Sequence, residues 1–171
     1  RSRMDEVLAR LKALAEGLRI GMPTDPATDL GALSSHQHRD KVEGYVALAL
    51  DEGASLLTGG CRPDDPALAQ GAYFRPTILT GLTNAARVCQ EEIFGPVLCV
   101  LPFEDEADLV AQANDTAFGL ACGIWTADYR RGLRVARAIA AGTVWINTYK
   151  QLSIAAPFGG FKDSGLGREK G

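Results

Sequence analysis

The sequence has no apolar run approaching the length of a membrane span, and no signal-peptide pattern opens it. Neither a membrane partner nor a secretory route is expected. It has no excess of positive charge either. Its 18 Lys and Arg stand against 21 Asp and Glu, a net charge of -3 spread along the chain, which leaves no basic face for nucleic acid. Only two histidines occur, His36 and His38, two residues apart and without a third ligand, so no metal is expected against the tetrahedral sets such sites require. The four cysteines, Cys61, Cys89, Cys99 and Cys122, show neither metal-ligand nor redox-pair spacing. Cys99 and Cys122 fall in apolar, strand-like runs and read as small buried side chains. Free thiols of this kind suit a reducing cytoplasm, where the sequon Asn114-Asp115-Thr116 carries no meaning. No G-x-G-x-x-G follows a strand: Gly165-Leu166-Gly167 continues with the wrong spacing, and Gly160 to Gly165 lacks the P-loop lysine. No internal repeat or low-complexity tract interrupts the chain.

What is present describes an ordinary globular protein. With 171 residues, 46% of them hydrophobic and 23% charged, the chain suits one domain with a substantial core. Apolar residues recur at helical spacing from Met4 to Leu18, with Asp5 and Glu6 in the first turn. Gly21 to Pro26 begins a loop, and Thr28 to Leu33 has no clear period. Ser34 or Ser35 caps a second helix running to about Glu52. Ala54 to Thr58 reads as a strand, Arg62 to Gly71 as a surface excursion, and Tyr73 to Leu79 as extended. Pro76 within that last stretch predicts an edge or irregular strand. A strand at Val97 to Leu101, a helix from about Glu104 to Ala113, a strand at Leu120 to Trp125, a helix from Tyr129 to Ala141 ended by Gly142, and a strand at Thr143 to Ile146 complete the regular part. This alternation predicts an α/β layered domain, a largely parallel twisted sheet flanked by helices with right-handed crossovers. Residues 1–147 form that portion. Residues 148–171 are a Gly-rich segment of another character, suited to folding over a cleft. The chain starts at Arg1 in a helical pattern and stops after the Gly-rich segment, so it reads as a piece of something longer.

One stretch organises the rest, Gln90-Glu91-Glu92-Ile93-Phe94-Gly95-Pro96-Val97. Two adjacent carboxylates run into an aromatic and a Gly-Pro bend that delivers the chain into a buried strand. Gly95 permits a backbone path or a close approach that a side chain would block. A carboxylate on such a loop can accept hydrogen bonds from a sugar diol, and an aromatic two residues on offers a flat face to a ring. The bland alternative is that Glu91 and Glu92 solvate a turn.

Together with Asn114 to Leu120, Gly142 to Asn147 and Pro157-Phe158-Gly159-Gly160-Phe161-Lys162-Asp163-Ser164-Gly165-Leu166-Gly167-Arg168-Glu169, this stretch closely resembles the C-terminal part of the catalytic domain of the NAD(P)-dependent aldehyde dehydrogenase superfamily. The resemblance covers nearly the whole chain, with the motifs in the family's order. It implies oxidation of an aldehyde to a carboxylic acid, through a cysteine thiohemiacetal and a thioester, with NAD as cofactor and NADP not excluded. The nucleophilic Cys and the general-base Glu are then expected upstream of residue 1, and none of the four cysteines matches the nucleophile's motif.

Residue by residue, the resemblance assigns Glu92 to the nicotinamide ribose hydroxyls and Phe94 to packing beside that ribose. It puts Lys41 near the adenosine side of the cofactor. Phe158 matches a position lining the substrate tunnel, though an ordinary core aromatic fits too. Leu152 falls where many relatives carry a second tunnel aromatic, which weakens the case for an aryl or cationic substrate. Glu169 matches a proton-relay glutamate or, alternatively, a structural ion pair. Trp145 and Asn147 read as scaffold, Asn147 bonding its own loop. The stretches Ser35 to Val46 and Asn147 to Glu169 look most like the NAD-preferring branch that takes aliphatic, amino- or semialdehydes. Leu152 and Ile154 offer no clamp for a second acid group. The family implies a homodimer or homotetramer. A non-catalytic relative that kept the fold as an interaction module is the rival, and a phosphate-activated acyl reductase is disfavoured by Pro157 to Gly160 and Gly165 to Glu169.

Overall fold

The computed structural model describes residues 2–170. The chain forms two compact units, residues 1–102 and 103–171.

In the first unit, helix α1 (Met4–Gly17) carries Asp5 and Glu6 in its first turn, where carboxylates complement the positive end of the helix dipole. It packs on the strands β1 and β2 described below, yet none of its residues is fully buried. Its apolar stripe is half-covered at Leu8, Leu11 and Ala15 and open at Val7 and Leu14. Helix α2 (His36–Asp51) starts at Ser35, whose hydroxyl accepts the His38 N–H (3.1 Å) and so fills one of the orphan donors of the first turn. Its buried positions Val42, Val46 and Ala49 lie one helical turn apart and meet Phe74, Leu79, Leu82, Val88 and Ile93 in one core cluster. Full burial of each large apolar side chain contributes about 1.5–3 kcal/mol.

Three strands form the unit's sheet, in the order β1 (Ser55–Thr58), β2 (Thr77–Thr80), β3 (Val97–Cys99). β1 and β2 are antiparallel with a bulge between Leu56 and Thr58, and β2 and β3 are parallel. β2 is therefore central, not an edge. Pro76 precedes it instead of interrupting it, and the ladder begins with the Thr77 N–H donating to the Pro96 carbonyl (2.8 Å), so no sheet donor is lost. The surface excursion holds a 3₁₀ turn at Pro66–Leu68, capped by Asp65. A short helix, α3 (Arg87–Gln90), feeds the Glu91–Pro96 loop.

The second unit contains α4 (Glu106–Asn114), β4 (Phe118–Gly119), β5 (Ala121–Ile124), α5 (Tyr129–Ala138), β6 (Thr143–Ile146) and β7 (Phe161–Lys162). β5 and β6 run parallel, residue for residue from Ala121↔Thr143 to Ile124↔Ile146, with α5 as their crossover; β4 and β7 are antiparallel. The architecture is α/β, with parallel pairs at β2–β3 and β5–β6. Helix α5 ends at Ala138, earlier than the sequence suggests, and Gly142 is not its cap. The Asn114 side chain stops it, donating to the Ala138 carbonyl (2.8 Å) and accepting the Ala140 N–H (2.7 Å). Gly142 is needed for another reason: a Cβ there would collide with the Gly159 carbonyl.

Candidate functional site

The Glu91–Pro96 loop is anchored by the one side chain it buries. Ile93 is 9% exposed within the core, while its neighbours Glu92 and Phe94 are both exposed, Phe94 to 74%. Alternation of this kind, with one residue in and its flanks out, aims the flanks at solvent. Phe94 has φ +60°, the left-handed region that a bulky residue enters only when its surroundings hold it there. Those surroundings are Gly95, packed so closely that a Cβ would lie 2.6 Å from Cγ2 of the fully buried Val42, and a Val97 N–H donating to the Gly95 carbonyl (2.8 Å). The His38 ring lies against Phe94, with centroids 6.4 Å apart, while its Nδ1 bonds the Ser34 hydroxyl (2.9 Å).

The two adjacent carboxylates have different partners. Glu91 is bound by the Arg87 guanidinium through two hydrogen bonds (2.7 and 3.1 Å) and accepts the Tyr45 hydroxyl (2.9 Å). The Arg87 bonds, helped by Tyr45, hold its carboxyl below the ordinary range. Glu92 has no hydrogen bond or ion pair to its carboxylate among the described residues, and it is reached only through its backbone, whose carbonyl accepts from Lys41 Nζ (3.2 Å). Lys41 also lies over the Tyr45 ring, 5.5 Å from its centroid. The fold thus brings Lys41, Glu92 and Phe94 together at one loop. Glu92 and Phe94 line a cavity of about 360 Å³, with Val97, Cys89 and Cys99 also on its wall. Tyr45 and His38 are additions that periodicity alone does not reveal. Arg87 carries a signal, since it stands four residues before Glu91 in an i,i+4 pairing.

In the second unit, Phe158 and Glu169 are brought together by a two-way backbone bridge: Phe158 N–H to the Glu169 carbonyl (3.0 Å) and Glu169 N–H to the Phe158 carbonyl (2.8 Å). Phe158 is half-buried. The Glu169 side chain is exposed and has no ion pair among the described residues. Leu152 is 55% exposed and Ile154 90%. Arg168 donates to the Gly159 carbonyl and lies over the Phe161 ring, 4.9 Å from its centroid. Asn147 bonds not its own loop but the segment that follows β5. Its amide accepts the Thr126 N–H and donates to the Thr126 carbonyl (both 2.9 Å), tying the ends of β5 and β6. Trp145 Nε1 donates to the Gln151 carbonyl (2.8 Å) and its ring meets Tyr149 edge-on.

The sequence matches the aldehyde dehydrogenase family over residues 1–171. The chain belongs to that family. It is 49% identical over 165 residues to a betaine aldehyde dehydrogenase of Sinorhizobium fredii, covering 96% of this chain and 34% of that protein. It is 50% identical over 168 residues to a 2-hydroxymuconic semialdehyde dehydrogenase of a Pseudomonas species, covering 98% and 35%. Among solved structures it is similar to betaine aldehyde dehydrogenase from Staphylococcus aureus in complex with NAD+, with a TM-score of 0.96, 39% identity, and 98% and 33% of the two chains covered. The chain therefore spans about a third of the length of the relatives it matches.

Three of this chain's four thiols sit in surroundings that disfavour the thiolate. Burial raises Cys122, whose thiol donates to the Gly123 carbonyl (3.8 Å). Burial likewise raises Cys89, and it pushes Cys99, with Cys89 beside it, up to about 12. Cys61 is exposed on the surface excursion. A nucleophilic cysteine needs the opposite surroundings, a nearby cation or helix N-terminus that favours the thiolate. No helix among the described residues is long and apolar enough to cross a membrane.

Proposed function

We propose that this chain is part of an aldehyde dehydrogenase that oxidises an aldehyde to a carboxylic acid with NAD(P)+, NAD being favoured. Its first unit holds the nicotinamide ribose and its 148–171 segment lines the substrate tunnel. The observation that carries this reading is the division of labour between Glu91 and Glu92. Glu91 is saturated by Arg87 and Tyr45, so its neighbour can point outward beside Phe94 without a protein partner. A vicinal diol donates two hydrogen bonds to one carboxylate, and bonds to a charged acceptor are the stronger kind. The outward Phe94 face packs beside the sugar, and Lys41 fixes the Glu92 backbone that carries the carboxylate. The bound cofactor supplies the hydride acceptor.

The covalent part of the reaction, thiohemiacetal then thioester, belongs to a cysteine and a general-base glutamate in the part of the relatives' length that this chain does not span. The raised pKa values of Cys89, Cys99 and Cys122 support that assignment. Phe158 and Leu152 are substrate contacts in this reading, and Glu169, its carboxylate without an ion pair among the described residues, is a proton relay. Relatives named for betaine aldehyde and for a hydroxymuconic semialdehyde match almost equally, so identity does not select a substrate. Leu152 and Ile154 favour an aliphatic one. The complete protein is proposed to be a cytoplasmic homodimer or homotetramer.

The test is Glu92→Ala in the complete protein. Hydride transfer, followed as reduced nicotinamide, should fall steeply while the melting temperature stays put. Unchanged turnover with saturating NAD+ would remove Glu92 from this role.

A further inference from the structure

Helix α2 turns one line of side chains toward the Glu91–Pro96 loop. His38, Lys41 and Tyr45 follow one another at helical spacing, which keeps them on one face. Each engages a different loop residue. The His38 ring lies against Phe94, Lys41 Nζ donates to the Glu92 carbonyl (3.2 Å), and the Tyr45 hydroxyl donates to the Glu91 carboxylate (2.9 Å). Tyr45 does a second thing as well. Its ring lies under the Lys41 ammonium, with Nζ 5.5 Å from the ring centroid, and that ring packs against the core cluster.

We propose that Tyr45 is a positioning residue for the cofactor loop, its ring seating the Lys41 ammonium on the Glu92 carbonyl and so setting the aim of the Glu92 carboxylate. The inference rests on the reading that Glu92 holds the nicotinamide ribose.

Lys41 is exposed, and a lysine is a point charge on a flexible stem that gives up rotamer freedom when held at one acceptor. The electron-rich face of an aromatic ring attracts an ammonium. Because the core fixes this ring, the attraction keeps Nζ beside the loop instead of in solvent. Among the described residues no other group donates to the Glu92 carbonyl. On either side of Glu92 the chain is already pinned. Ile93 is buried in the core, and the Glu91 N–H donates to the Arg87 carbonyl (2.8 Å). Lys41 therefore controls the remaining freedom, rotation of the peptide that follows Glu92, and the Glu92 side chain turns with it. The two parts of Tyr45 then have separate effects. The hydroxyl acts on stability through Glu91, and the ring acts on ligand binding through Lys41.

The experiment is an NAD+ titration and a thermal melt of the complete protein carrying Tyr45→Phe, Tyr45→Leu, Lys41→Met, Glu92→Ala, or Tyr45→Leu with Lys41→Met. Tyr45→Leu should weaken NAD+ binding about two- to fivefold, the range of a cation–π contact at an exposed site. Tyr45→Phe keeps the ring, so it should rescue the affinity while melting lower than wild type for want of the Glu91 bond. Lys41→Met should weaken binding about tenfold, the loss of a hydrogen bond from a charged donor. The double variant should bind no more weakly than Lys41→Met, because without the ammonium the ring has nothing to seat. Equal losses in the Phe and Leu variants, or single effects that multiply in the double variant, would overturn the positioning role, since a side chain that only supports the fold behaves that way. Should Tyr45→Leu fold poorly, Tyr45→Met fills similar space without an aromatic face and takes its place. Glu92→Ala separates the two readings. A steep loss there beside multiplying Tyr45 and Lys41 effects removes Tyr45 alone, whereas NAD+ binding untouched by Glu92→Ala removes the ribose reading and the positioning role with it.

Discussion

Two neighbouring glutamates with identical side chains have different fates here, and the difference lies entirely in what surrounds them. Glu91 accepts from Arg87 and Tyr45, whereas Glu92 is exposed and its carboxylate has no partner among the described residues. Substituting each in turn should separate folding from ligand binding. Glu91→Gln should lower the melting temperature with a modest change in cofactor binding. Glu92→Gln should leave the melting temperature alone and weaken NAD+ binding about tenfold, the loss expected for a charge-assisted acceptor. Thermal melts and a cofactor titration of both variants check this, and the same profile for both would refute it. The pair also carries a pH signature. The folded Glu91 pKa is lowered, chiefly by Arg87, so its stabilising effect is complete above the ordinary carboxylate range and is lost as pH falls through the lowered folded value. The melting-temperature gap between wild type and Glu91→Gln should therefore be widest near neutrality and close on acidification. A gap that held steady or grew in acid would contradict the ion pair.

At the scale of elements, local signals were readable and remote ones were not. The Ser35 cap, the α2 stripe and the position of β6 follow from residue type and period, because the physics behind them acts within one turn or one strand. Four-residue α3 and the two-residue strands β4 and β7 are too short to show a period. The end of α5 was unreadable for another reason. Its cap comes from Asn114, which lies 24 residues before the Ala138 carbonyl it binds, and Gly142 offered a local stop signal that serves a different contact. The candidate site divides the same way. Glu92, Phe94, Phe158 and Glu169 are proposed from motifs, but the left-handed backbone of Phe94 and the Tyr45 bond to Glu91 come from tertiary packing. Asn114→Ala should test the remote cap. It removes two hydrogen bonds and frees the Ala140 N–H, costing roughly 1–3 kcal/mol. Chemical denaturation should show that loss, and a change within error would mean that α5 ends by itself.

At the scale of the whole molecule, the decisive fact is coverage: the chain corresponds to about a third of its relatives' length. Its second unit carries large apolar side chains open to solvent, with Ile154 90% exposed and Leu152 and Leu166 also exposed. Contiguous apolar surface on a soluble protein generally marks a place where something else packs, and Leu152 and Ile154 stand in one short irregular stretch. The 171-residue polypeptide prepared alone should therefore bind a hydrophobic dye and self-associate in sizing and light-scattering measurements. It should also fail to oxidise aldehydes with NAD+, since Cys99 is held near 12 and Cys89 and Cys122 are raised by burial, the reverse of what a nucleophile requires. Each half can fail separately. A dye-silent monomer would mean that these side chains need no cover, and aldehyde oxidation by the isolated polypeptide would bring one of its own cysteines, Cys61 first because it is exposed, into the chemistry assigned here to residues outside it.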